Sequence, residues 1–102
     1  AHRSNKIKDK PVLEYEIINK WRELEGKVND IIGLHTIKLP RSIIGFLSEN
    51  HFIDDNESKE LQELLRMRNN IAHDSDVEYS EKELKEALDK ANNILSKLNK
   101  IL

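Results

Sequence analysis

Apolar residues recur at helical spacing from Val12 onward: Val12, Leu13, Ile17, Ile18, Trp21, Leu24, Val28, Ile31 and Ile32. Pro11 suits the first turn of a helix, since its missing N–H would have no partner there anyway, and Gly33 is a stop signal. The spacing predicts a helix over 11–32 with Trp21 as a core anchor rather than a base-stacking ring. A connector over Leu34–Leu39 follows, and Pro40 opens a second helix over 41–50. Its apolar side is Ile43, Ile44, Phe46 and Leu47, and Asn50 or His51 ends it. Gly45 lies inside that helix at a cost of about 1 kcal/mol relative to Ala. Phe52 and Ile53 read as an apolar plug before the third helix, over 56–72, for which Asp54 to Asn56 offer N-caps. Ser80 and Glu83 have the spacing of a capping box, and Tyr79 and Leu84 that of a hydrophobic staple. The last helix is expected over 80–102, with a seam of Leu84, Ala87, Leu88, Ala91, Ile94, Leu95, Leu98, Ile101 and Leu102. Four helices with short connections predict an all-α, four-helix up-and-down bundle.

Composition narrows the class. The 102 residues contain no internal repeat and read as one domain over 11–102, preceded by a polar, basic segment or linker at 1–10. At 37% hydrophobic and 35% charged, the chain has apolar material for one modest core under a heavily charged surface. Cysteine is absent, so neither a disulfide framework nor a thiolate metal site exists. No apolar run approaches the roughly 20 residues of a membrane-spanning helix. A cytoplasmic setting is therefore expected, with room for an anchor on a longer parent chain, because the sequence starts at Ala1 rather than Met. Seventeen Lys and Arg against 19 Asp and Glu give a formal charge of −2. Nonspecific nucleic-acid binders are usually basic, so contact with RNA needs a local basic patch or a second chain.

The chemistry concentrates at the end of the third helix, in Arg68-Asn69-Asn70-Ile71-Ala72-His73. On a helical wheel Leu61, Leu64, Leu65, Ile71 and Ala72 share one stripe, and Arg68 falls near its middle. Arginine does not give up its charge, so an inward-facing Arg68 must snorkel out, find a partner or line a polar cleft. His73 follows, just before the helix-unfriendly run Asp74-Ser75-Asp76. Arg-x4-His with a polar residue directly after the Arg, on the penultimate of four helices, resembles the signature of the HEPN superfamily. Only the motif and the helix order carry this resemblance, which spans most of 11–102.

What the resemblance implies is a homodimer, or a heterodimer with a related chain, whose two motifs face each other across a cleft and cleave RNA without a metal. Arg68, Asn69 and His73 are the catalytic candidates. RNA supplies its own nucleophile, the 2′-hydroxyl. A histidine moves the proton, an arginine fork stabilises charge building on phosphate, and Asn69 orients a phosphate oxygen or the histidine. The settings implied are toxin, defence or RNA processing, with RNA and a protein such as an antitoxin as partners. Other HEPN-like domains serve as binding or scaffold modules, and the acidic balance pulls this chain toward that group. The alternative is a noncatalytic helical interaction or oligomerisation module of a longer protein.

Other chemistries lack residues. His35, His51 and His73 fall on different elements, without Glu-x-x-His or His-x-x-x-His spacing, so no metal and no cofactor is expected. There is no cysteine nucleophile, no serine in a nucleophile elbow and no Gly-rich phosphate loop. A purely structural reading also stands for the motif: Arg68 paired with Glu14 or Glu23 of a neighbouring helix, and His73 closing the third helix.

Overall fold

The computed structural model describes the backbone of residues 2–32 and 40–101 and the side chains of 10–31 and 42–101. Four helices make up the fold: α1 (His2–Ile32), α2 (Pro40–Glu49), α3 (Asp55–Ala72) and α4 (Glu81–Asn99). No strand occurs among the described residues. The Gly33 stop, the Leu34–Leu39 connector with His35, and Leu102 lie outside them.

Two boundaries differ from expectation. The helix expected from Pro11 begins at His2, so much of the anticipated linker is helical and Pro11 sits in the helix interior. There it forgoes a bond to the carbonyl of Ile7, the usual effect of an internal proline. At about 1.5 Å per residue, the 31 residues of α1 account for the 46 Å long axis of the molecule. The apolar seam expected to carry α4 to residue 102 instead stops at Asn99, with Lys100 as C-cap. Ile101 is left 42% exposed.

The caps explain why α3 and α4 start where they do. Asp54 accepts from the Glu57 N–H at 2.8 Å, and the Glu57 carboxylate accepts from the Asp54 N–H at 2.9 Å. Ser80 and Glu83 make the same reciprocal pair at 3.1 and 2.8 Å. Each satisfies two N–H groups that the first helical turn leaves without partners. The ends of α2 and α3 share another device. After α2 the Phe52 N–H donates to the Leu47 carbonyl at 2.9 Å and the His51 N–H to the Ser48 carbonyl at 3.1 Å. After α3 the Ser75 N–H donates to Asn70 at 3.0 Å and the Asp74 N–H to Ile71 at 3.2 Å. Both are Schellman turns, which need a left-handed residue at the first position past the cap. His51 (φ 60°) and Asp74 (φ 51°) fill that position in place of glycine. The Phe46 and Phe52 rings, 5.9 Å apart, close the first turn with the apolar contact typical of the motif.

The core is built from Leu13, Ile17, Trp21, Leu24 and Val28 of α1, joined by Ile43, Ile44 and Leu47 of α2, the plug residue Ile53, and the inner faces of α3 and α4. Trp21 is 1% exposed and donates its indole N–H to Glu25 at 3.0 Å, so it is a core residue with its one polar atom satisfied. Val12, expected on the same apolar face, turns out to water at 48% exposure. The bundle is uneven. α1, α3 and α4 pack on one another, whereas among the described residues the α2 backbone comes close to α1 and α3 and not to α4. Lys97, late in α4, meets Glu57 at the start of α3 at 2.7 Å, so these two helices run antiparallel. Lys10 of α1 reaches Glu78, just ahead of α4, at 3.3 Å.

Candidate functional site

The inner face of α3 carries Leu61, Leu64 and Met67 as its buried residues, with Leu65 and Ile71 half-buried. Met67 was not among the residues from which the stripe was drawn. Its burial shifts the centre of that face toward Leu64 and Ile71. Ala72, the last residue of α3, is exposed, and Arg68, which falls between Leu61 and Leu64 round the helix, is half-buried.

Arg68 is half-buried. Its Nη1 donates to Oδ1 of Asn69 at 2.9 Å, and its Nε is shielded from water with no acceptor among the described residues. It makes no ion pair there with Glu14 or Glu23; Glu23 is engaged by Lys20 at 3.4 Å. A charged guanidinium held by a neutral amide keeps its full field, whereas a carboxylate partner would cancel it.

His73 is the C-cap of α3, with its backbone N–H on the Asn69 carbonyl at 3.0 Å. Its side chain is exposed. Five residues of helix put it about 140° round the axis and about 7.5 Å further along from Arg68. The fold thus joins Arg68 to Asn69 through their side chains, and His73 to Asn69 through the backbone. It makes no direct hydrogen bond between Arg68 and His73 among the described residues.

Beside the motif, a groove of about 790 Å³ runs between α2 and α3. Ile44 and Leu65 give it an apolar floor, and Ser48, Gln62, Asn69 and Asn70 give it polar walls. Glu49 and Arg66 also line it, so its charges are balanced. Asn70 is fixed by its Nδ2, which donates to the Tyr79 hydroxyl at 2.6 Å and ties α3 to the residue before the α4 cap. Gly45 borders the groove, and a Cβ built there would meet nothing within 4 Å.

Gln62, Asn70 and Gly45 were not recognised as site residues from the sequence. The doubled asparagine at 69–70 and the Gly45/Ser48 pair of small residues on α2 are the traces the groove leaves there. Among the described residues no group of three or more His, Asp or Glu side chains gathers closely enough to hold a metal ion, and no helix is long and apolar enough to cross a membrane. No family model, no curated protein and no solved structure matches the chain.

Proposed function

We propose that the chain is a HEPN-like helical domain that engages RNA through Arg68, Asn69 and His73 and cleaves it without a metal when two copies bring their motifs together. The observation that carries this reading is the state of Arg68: half-buried, held by the neutral Asn69 amide, and without a carboxylate among the described residues. A positively charged fork in that state is suited to a phosphate, whose oxygens take the N–H groups in pairs.

In this reading a base removes the proton of a ribose 2′-hydroxyl, and the 2′-oxygen bonds to the adjoining phosphorus. The bond from phosphorus to the 5′-oxygen breaks, and an acid returns a proton to that leaving oxygen. The products are a 2′,3′-cyclic phosphate and a 5′-hydroxyl. His73, exposed at the end of α3, is the proton carrier, and Arg68 stabilises the extra negative charge on phosphate. Among the residues whose side chains are described, a single copy offers one histidine at this end, whereas the reaction asks for both an acid and a base. That requirement supports a homodimer with facing motifs.

The test is incubation of the purified protein with a mixed RNA pool in EDTA, with product ends identified. Cleavage to cyclic phosphate ends is expected for wild type, and His73→Ala should lose about 10²–10⁴-fold in rate. Intact RNA with wild type would remove the catalytic part of the proposal.

A second reading has its own support. Val12 and Tyr15, one helical turn apart on α1, are 48% and 64% exposed, and the chain is net negative. These features suit a noncatalytic interaction module that uses α1 to meet another protein. Under that reading RNA is neither bound nor cut, and Tyr15→Lys abolishes an association that Arg68→Met leaves intact.

A further inference from the structure

We propose that the α2–α3 groove is the base-binding half of the same RNA site and takes one unstacked nucleobase while Arg68 holds the adjoining phosphate. The inference rests on the phosphate reading of Arg68 and adds to it what lies beside the phosphate.

Asn69 belongs to both places. Its Oδ1 accepts from Arg68, and its side chain lines the groove. Arg68 does not itself line the groove, so a nucleotide whose phosphate sits on Arg68 reaches the groove past Asn69. Two hydrogen bonds fix what the groove wall offers. Asn69 has its oxygen engaged by Arg68, which leaves its NH2 as a donor. Asn70 has its NH2 engaged by Tyr79, which leaves its oxygen as an acceptor. Consecutive residues thus present a donor and an acceptor whose orientations are held by bonds elsewhere. The hydrogen-bonding edge of a nucleobase carries the complementary set, an acceptor beside a donor.

The remaining lining agrees with a neutral, flat ligand. Glu49 and Arg66 offset each other, and Arg66 is drawn to Glu63 at 3.3 Å, so the groove is no second anion site. Leu65, half-buried, gives apolar surface against which a ring face can lie, backed by the core residue Ile44. The open space at Gly45 keeps the groove clear where any larger residue would enter it. A volume of about 790 Å³ is ample for one base and its ribose.

The test uses the four nucleoside 5′-monophosphates and, as a probe without a base, ribose 5-phosphate. Binding is followed by NMR through the side-chain NH2 signals of Asn69, Asn70 and Gln62 and the guanidinium signal of Arg68. Each monophosphate should move the Arg68 and groove signals together, whereas ribose 5-phosphate should move Arg68 and spare Gln62. Gly45→Phe fills the groove on a helix that loses a glycine, so folding is retained. It should weaken monophosphate binding about tenfold, to the level of ribose 5-phosphate, and leave ribose 5-phosphate itself unchanged. Equal affinity of wild type for monophosphates and ribose 5-phosphate would overturn the groove assignment and leave the Arg68 reading standing. Ribose 5-phosphate binding that survives Arg68→Met would overturn the phosphate reading instead. Groove signals that move on raising protein concentration alone, and ignore every nucleotide, would mark the groove as a contact between copies and also overturn the assignment.

Discussion

Replacing His51 with glycine should make the protein more stable, although it removes a whole side chain. His51 sits at φ 60° because the Schellman turn after α2 requires a left-handed residue there. For a residue with a Cβ that conformation costs about 1–2 kcal/mol. Glycine avoids the cost but loses more backbone freedom on folding, worth about 0.5–1 kcal/mol. The His51 side chain is exposed and makes no hydrogen bond among the described residues, so little else is lost. The difference favours His51→Gly by about 0.5–1 kcal/mol, a rise in melting temperature of about 2–8 °C for a domain of this size. Asp74→Gly should act in the same direction by a similar amount, because aspartate and histidine both enter the left-handed region more readily than most residues with a Cβ. Asn50→Gly is the control. Asn50 has no left-handed strain to relieve, and its Nδ2 donates to the Phe46 carbonyl at 2.9 Å, so that variant should melt lower. The assay is thermal unfolding by circular dichroism at one fixed protein concentration. A lower melting temperature for His51→Gly would refute the assignment of this turn. Since Asp74 adjoins His73, Asp74→Gly also separates scaffold from chemistry: stability should rise while activity on RNA stays.

Three further outcomes follow from the packing and the charges. Trp21→Ala should cost about 3–5 kcal/mol, a large share of the stability of a small domain, and chemical denaturation will read it as a lower midpoint. Tyr79→Phe removes the acceptor of the Asn70 bond and should cost about 0.5–1.5 kcal/mol, again read by denaturation. The hydrogen bond from Lys97 to Glu57 raises the ammonium above its ordinary 10.5, opposed in part by desolvation. A raised folded value means the contribution is full below 10.5 and fades as pH climbs past it. Wild type should therefore lose its advantage over Lys97→Met in strongly alkaline solution, and high salt should shrink the difference because the pair is exposed. An advantage that persists unchanged above that pH would contradict the assignment.

Much of the scaffold is legible in the chain itself. The capping box at Ser80 is a local device written in four residues, and the α4 seam repeats often enough that its register is unambiguous; for α3 the sequence offers Asp54 to Asn56 as caps, and the structure uses Asp54 with Glu57. Pro11 misled because its signature, a proline at the head of an apolar repeat, is the same whether the helix begins there or runs through. Ile101 continues the seam by spacing alone, and spacing carries no information about where neighbouring helices stop offering a surface. Arg68 keeps the inward register that its spacing gives it, but spacing does not show that its side-chain partner is the adjoining Asn69 amide and not a glutamate of another helix. The groove was not legible, since it needs α2 laid against α3 and no local pattern encodes that crossing. The orientation of the Asn69 and Asn70 amides is likewise a product of Arg68 on one side and Tyr79 on the other.

The measurement that tests the central claim most directly is RNA cleavage in EDTA over a range of protein concentrations, wild type beside Arg68→Met, with a melting curve for each. Arg68→Met loses one hydrogen bond to Asn69 and also removes an Nε that is buried without an acceptor, so its stability should stay within about 1–2 kcal/mol of wild type. Wild type should cut, with a rate per molecule that rises with concentration as copies pair, and the folded Arg68→Met protein should not cut at all. Cleavage by Arg68→Met at the wild-type rate, or a wild type that neither binds nor cuts RNA at any concentration, would contradict the account.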